Sequence, residues 1–391
     1  MKRMKFDPWW LTIIVSAVVL IIGCIWVSSI YSTNTHSANK TESTVTVPDI
    51  PDSVAILDIF DAQFQQAWTD ARESVLSVPK VFWLPEGTTV APEPNPECYG
   101  KTKDPAELQW LIDKASTLLD GQELVFKTDV EIMKGSEVTY YLDESILAIC
   151  WKQVFDNYVY TMAEVKVTHP SQFRRHLVNN DYKSKALQTT QYMAIKVNAV
   201  VASSGDFYRT RKYGVTVNDG KVTRFRYANT VDNCFVDNNG DLILTERGTF
   251  ETEEQCQAFV DENNIQFGLA FGPILIEDGK QCEPPYYALG EVNQGYPRCA
   301  LCQVDKLHYL VVTGNGKSPY FSSPSIHTFA KNVAALGVQT AYALDGGQTG
   351  AIVMNKKLMN PISLSKNRAI SDCVFFATAL TPPTTEETGS D

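Results

Sequence analysis

From Tyr158 onward the chain runs strand after strand, and this pattern restricts its fold more than any other feature. The runs are "VYTMAEVKV", "YMAIKVNAVVAS", "YGVTVNDGKVTRFRY", "NCFVDNNGDLILT", "FGLAFGPILIEDGKQC", "PRCALCQVDKLHYLVVTGNG" and "TAYALDGG". Each is rich in β-branched and aromatic residues, which pack well on a pleated surface. Turn signals such as Asn218-Asp219-Gly220 and Asn239-Gly240 separate them, as expected of hairpins. Two helices interrupt. "TFETEEQCQAFVDENN" opens with Thr252 and Gln255 at capping-box spacing, and "PSIHTFAKNVAALGV" hands directly into "TAYALDGG". The fold class is α+β, with mixed, mostly antiparallel sheets and a few flanking helices. No repeat of solenoid period is present.

Upstream the organisation changes. "MKRMKFDPWW" places three cations before an uncharged stretch from Trp9 to Tyr31, "WWLTIIVSAVVLIIGCIWVSSIY". A run of about 20 apolar residues spans a bilayer as a helix. The cationic flank then places residues 1–8 in the cytoplasm and everything after Tyr31 outside. The reading is a single-pass cell-membrane anchor over 9–31, with an extracellular C-terminal domain. A cleaved signal peptide is the competing reading, but no clean small-x-small site follows the run. Residues 32–52 are Ser/Thr-rich and read as a stalk. Residues 53–157 hold membrane-proximal helices and strands, among them a helix in "DPAELQWLIDKASTLL" with Asp104 as N-cap and Pro105 behind it. In "EVTYYLDESILAICWKQV" two strands turn at Asp143-Glu144. Residues 158–377 form the main domain, and 378–391 a disordered tail.

The net charge of −11 and the absence of a basic stripe beyond the first residues exclude nucleic acid as a partner. Eight cysteines follow the anchor: Cys98, Cys150, Cys234, Cys256, Cys282, Cys299, Cys302 and Cys373. An even number in an oxidising compartment points to disulfide bonds, of undetermined pairing. The Cys299-x-x-Cys302 pair lacks the second ligand pair a zinc site needs, and it lies in a strand pattern rather than at a helix start. None of the five histidines forms a metal cluster; His169 and His176 flank an expected helix start in "THPSQFRRHL". No G-x-S-x-G, G-x-G-x-x-G or Walker A motif occurs. The sequence therefore assigns no cofactor and no metal-ligand set; Asp-rich turns could hold calcium, but no EF-hand pattern is present.

Three stretches place strong polar groups beside glycine or proline at strand ends. "VVASSGDFY" supplies Ser204, Gly205 and Asp206; "GYPRCA" supplies Arg298; "LDGGQTG" supplies Asp345, Gly346, Gly347, Gln348 and Thr349. An arginine can hold a phosphate bidentately, glycine-cleared amides can meet its oxygens, and carboxylates can move protons or attack a glycosidic carbon. The same stretches read equally well as strand-terminating turns, with Arg298 in a structural ion pair.

Taken in order, the blocks "AVVASSGDFY", "YGVTVNDGKV", "AFGPILIEDGK", "YPRCALCQVDKLHYLVV", "LGVQTAYALDGGQTGAIVMN" and "NRAISDCVFF" resemble the phosphodiester glycosidase family over about residues 158–377. The family includes the N-acetylglucosamine-1-phosphodiester alpha-N-acetylglucosaminidase of mammals and many bacterial surface proteins. The resemblance implies a cleft lined by Asp206, Arg298, Asp345, Gly346, Gly347, Thr349 and Arg368. Arg298 and Arg368 would hold the phosphate, helped by Ser204, Gly205, Gln348 and the amides around Gly346–Thr349. Asp345 and Asp206 would be the carboxylate pair, their two roles not assigned, because a retaining or inverting outcome depends on their separation. Ser204 stands where the family carries Asn, Cys299 and Cys302 where it carries Thr and Gly, and Gly350 where a second hydroxyl is usual. The implied activity is hydrolysis of a sugar-phosphodiester linkage in envelope or exopolysaccharide material. The alternative is a catalytically weak glycan-binding or envelope-assembly module of the same fold.

Overall fold

The computed structural model describes residues 80–206, 208–282, 294–316, 323–362 and 367–382. The anchor at 9–31, the stalk at 32–52 and residues 383–391 of the tail lie outside them. Among the described residues no helix is long and apolar enough to cross a membrane.

Along the chain the elements are β1 (Tyr99–Thr102), α1 (Pro105–Leu119), β2 (Val138–Leu142), β3 (Ile146–Phe155), β4 (Tyr158–Val167), β5 (Phe173–Leu177), α2 (Thr190–Lys196) and β6 (Val201–Ser204). There follow β7 (Gly214–Asn218), β8 (Lys221–Arg226), β9 (Asn233–Asp237), β10 (Leu242–Thr245), α3 (Glu253–Glu262), β11 (Ile265–Leu269), β12 (Ile274–Glu277) and β13 (Lys280–Gln281). The last are β14 (Arg298–Asp305), β15 (His308–Gly316), α4 (Ile326–Ala334), β16 (Thr340–Leu344), β17 (Ile352–Met354), β18 (Lys357–Leu358) and β19 (Asp372–Phe376). Helices begin where capping side chains take up orphan amides. The Asp104 carboxylate accepts from Ala106 N at 2.9 Å, Thr252 and Gln255 close the expected capping box, and Ser325 caps α4.

Nine strands form the central sheet, in the order β1-β2-β3-β4-β15-β14-β16-β12-β13. Its pairings are antiparallel, and it joins strands from both sides of residue 157. One face packs on α1 and α4; the other packs on two five-stranded sheets, β10-β9-β11-β7-β8 and β18-β17-β6-β19-β5. Burial on both faces explains why β14 and β15 read as unbroken apolar runs rather than as alternation. Along β14, Cys299 and Leu301 enter one core, while Ala300 and Cys302 enter the other.

That alternation overturns the disulfide expectation at its most suggestive pair. Residues three apart on a strand point to opposite faces, so Cys299 and Cys302 cannot meet. All eight cysteines of the described residues are free, six of them buried. Two further expectations change. The helix start in "THPSQFRRHL" is only a three-residue 3₁₀ helix, Pro170–Gln172, capped by His169, after which "FRRHL" is the strand β5. "YMAIKVNAVVAS" divides into helix α2, capped by Thr189, and the short strand β6. At the tail, Thr378 is fully buried and Ala379 N donates to Ser145 Oγ at 3.0 Å.

The two smaller sheets are held together by Arg175 of β5, whose side chain is only 3% exposed. Its Nε donates to Asp372 Oδ2 at 2.8 Å, and its Nη2 lies 3.1 Å from Asp206 Oδ2. Its Nη1 crosses to the neighbouring sheet and donates to the Gly268 carbonyl of β11 at 2.8 Å. Removing the cation would leave two carboxylates buried without compensation, which is far costlier than losing a surface pair. We expect Arg175→Met to cost about 3–5 kcal/mol in urea unfolding at neutral pH. The loss should shrink in acid, where Asp372, whose pKa burial pushes up, protonates and no longer needs the cation. A small, pH-independent loss would contradict this account.

Candidate active site

Antiparallel register builds the site. Cys299 of β14 lies opposite Leu344 of β16, so the next residues outward, Arg298 and Asp345, emerge side by side at one sheet end. They open onto a cleft of about 350 Å³ whose charged lining residues, among the described residues, are Arg211, Arg298, Arg368 and Asp345. Three guanidinium groups face one carboxylate in a protein whose net charge is −11. Such a local reversal of sign suits an anionic ligand.

The loop after Asp345 is a tight turn. A Cβ on Gly346 would lie 2.4 Å from the Pro297 carbonyl oxygen, so only glycine lets the turn pack against the β14 approach. Gly347 N donates to Pro297 O at 2.8 Å, and the amides of Thr349 and Gly350 donate to Gly346 O at 3.0 and 3.1 Å. These amides are therefore occupied inside the turn rather than cleared for a phosphate. Gly350 fits because its Cα neighbourhood is close: a Cβ there would sit 3.2 Å from Gly346 Cα.

Asp345 is held from behind. Its amide donates to Gly205 O at 3.1 Å, and Ser204 Oγ donates to its carbonyl at 2.9 Å. Beneath it, Cys299 Sγ lies 3.3 Å from Ser203 Oγ. The carboxylate is almost fully buried; Oδ2 has no hydrogen-bond partner, and Arg368 Nη2 stands 3.5 Å away. Burial pushes its pKa up to about 7, against the pull of the Thr349 hydroxyl and of the Arg368 and Arg211 guanidinium groups. A buried acid with an unmet oxygen, facing cations in a cleft, is the physical signature of a working group.

Of the residues expected from sequence, Asp345, Gly346, Gly347, Gln348, Arg298 and Arg368 come together on the cleft. Arg298 is fastened by Gln294 O, 2.8 Å from Nη2, and Arg368 N donates to Gln348 O at 3.0 Å. Ser204, Gly205 and Thr349 lie behind the wall as supports. Asp206 does not line the cleft: its Oδ1 accepts from Tyr208 N at 2.7 Å, its Oδ2 accepts from Ala270 N at 3.2 Å, and Oδ2 forms an ion pair with Arg175 Nη2 at 3.1 Å. Gly205 lets this arrangement close, because a Cβ there would collide with Asp372 at 2.2 Å. Sequence reading missed Arg175, Asp372 and Arg211. Arg175 had one signal: with β5 read as a strand, it falls on the same face as Phe173, which is buried in the core.

A sequence model of the phosphodiester glycosidase family matches residues 197–377. Those residues belong to the phosphodiester glycosidase family. The phosphodiester glycosidase match takes in Arg298, Asp345 and Arg368 and begins downstream of Arg175. Among solved structures, the catalytic domain of zebrafish N-acetylglucosamine-1-phosphodiester alpha-N-acetylglucosaminidase, auto-inhibited by pro-peptide, is 16% identical. Its TM-score is 0.46, over 67% of this chain and 92% of that one. A hypothetical protein from Synechocystis is 12% identical at a TM-score of 0.43, over 62% of this chain and 64% of that one. This chain thus spans under two thirds of the Synechocystis protein. No curated protein sequence matches.

The raised pKa of the Asp345 carboxylate has a consequence for stability. An acid whose pKa rises on folding favours the folded state only while protonated, so its contribution is lost as pH climbs from the ordinary value of 3.8 through about 7. Asp345→Asn should therefore melt like wild type below pH 4 and be the more stable protein at pH 8, by on the order of 2–4 kcal/mol. Thermal melts across that range check it; equal stability at both pH values would contradict the burial argument.

Proposed function

We propose that the protein is a hydrolase that cleaves the bond between a sugar's anomeric carbon and a phosphodiester oxygen. The observation that carries this reading is the single buried carboxylate of Asp345 facing three arginines in one cleft. The chemistry needs little more. A phosphate monoester is a good leaving group that departs as an anion, so it calls for positive charge rather than a proton donor. Arg298 binds the phosphate and stabilises it as it leaves, while Arg368, 3.5 Å from the Asp345 carboxylate, offsets that group's charge. Asp345, poised near neutral pH, takes a proton from water as the water oxygen attacks the anomeric carbon. The carbon–oxygen bond breaks with its electron pair going to the phosphate oxygen, and free sugar and phosphomonoester result. Asp206, with both oxygens engaged, acts as a positioning residue that fixes the strand end behind Asp345.

The compartment belongs to the same proposal. The run from Trp9 to Tyr31 and the three cations before it support a single-pass anchor with the catalytic domain outside the cell, acting on envelope or exopolysaccharide material. The free cysteines no longer contribute to that argument.

Full-length protein in detergent, incubated with an N-acetylglucosamine-1-phosphodiester and with sugar-phosphate polymers, should release free sugar. Turnover should rise with pH through about 7 as Asp345 becomes the base, and Asp345→Asn should lower kcat about 10²- to 10⁴-fold. Binding across varied phosphodiesters without turnover would favour a glycan-binding module instead.

A further inference from the structure

Arg211 lies outside every sequence block that carried the family resemblance, yet it lines the same cleft as Asp345, Arg298 and Arg368. Its guanidinium carbon stands 3.8 Å from the centroid of the Phe271 ring, and its Nη1 donates to the Phe271 carbonyl at 3.3 Å. The ring is itself fixed. Phe271 N donates to Tyr342 Oη at 2.9 Å, and Tyr342 Oη donates to the Asp232 carbonyl at 2.6 Å, tying this platform to β16, the strand that leads into Asp345. A guanidinium braced on an aromatic face is oriented before any ligand arrives, so little side-chain freedom is lost on binding.

The redistribution of charge in the cleft also favours a third cation. Arg368 is half exposed, 47%, and stands beside Asp345, offsetting that carboxylate. A phosphodiester brings one negative charge, and the phosphomonoester that leaves carries up to two at neutral pH. As Asp345 takes the water proton its own charge is neutralised while the phosphate gains one, so negative charge moves off the Arg368 side of the cleft and onto a phosphate that Arg298 alone would otherwise face. We propose, resting on the hydrolysis above, that Arg211 braced on Phe271 binds the phosphate and takes up the second negative charge as the sugar–oxygen bond breaks. An interaction that strengthens as charge develops lowers the barrier more than it tightens substrate binding. The substrate class this selects is a sugar-1-phosphodiester, not an uncharged glycoside.

The test uses full-length protein in detergent as wild type, Arg211→Gln, Arg211→Lys and Phe271→Leu. Titration calorimetry with inorganic phosphate is run beside the neutral methyl glycoside of the same sugar. Arg211→Gln should weaken phosphate binding about 10- to 100-fold and leave the methyl glycoside unchanged, with Phe271→Leu and Arg211→Lys falling between. On an N-acetylglucosamine-1-phosphodiester, kcat should fall by a larger factor than KM rises. Phosphate affinity in a folded Arg211→Gln within about two-fold of wild type would overturn the inference. Should Arg211→Gln fail to fold, unchanged phosphate affinity in both Arg211→Lys and Phe271→Leu overturns it in the same way. Arg211-dependent phosphate binding without turnover supports this role while removing the hydrolase reading. Turnover with Arg211-independent phosphate binding does the reverse.

Discussion

The buried guanidinium of Arg175 is the contact on which the site depends. It is one cation between two carboxylates, Asp206 and Asp372, and it also donates to a carbonyl of the neighbouring sheet. Burying three charges is expensive unless every lone pair is met, and here the Tyr208 and Ala270 amides complete the shell of Asp206. The result is a rigid corner where β6, β19 and β11 meet. Asp345 hangs from that corner through the Gly205 carbonyl and the Ser204 hydroxyl. The carboxylate that does the proposed chemistry is thus fixed by two others that do none of it.

In the proposed hydrolysis, this division lets a cleft with one acid among its described lining residues act on a glycosidic bond. Glycosidases working on alcohols pair two carboxylates, because a poor leaving group has to be protonated. A phosphate leaves as an anion, and arginines replace the acid. The dry position of Asp345 raises its pKa toward neutrality, which suits a base that must be charged to act yet basic enough to take a proton. The stability lost by burying it is the ordinary cost of a functional group placed where water would not put it.

Local features were legible in the sequence and long-range ones were not. Asp104 before Pro105, Thr252 with Gln255 and the Asn218-Asp219-Gly220 turn act within a few residues, and each forms what its residue types dictate. "FRRHL" misled because two arginines and a histidine look solvated, whereas Arg175 meets partners about 30 to 200 positions away. "YMAIKV" misled because burial on α2 and on a strand asks for the same residues. Cysteine counting failed because an even number says nothing about faces, and β14 sends Cys299 and Cys302 to opposite cores. At the site, motif order located Asp345, Arg298 and Arg368, but it also counted Asp206 as a second cleft carboxylate and passed over Arg211. Motifs mark strand ends; only the fold decides which of them face the cleft.

The most direct measurement of the central claim is turnover of a sugar-1-phosphodiester in ¹⁸O-labelled water. Attack at the anomeric carbon, with Asp345 as base and phosphate as leaving group, puts the label in the hydroxyl of the released sugar. Label in the phosphate would mean that the phosphorus–oxygen bond breaks, and would contradict the account.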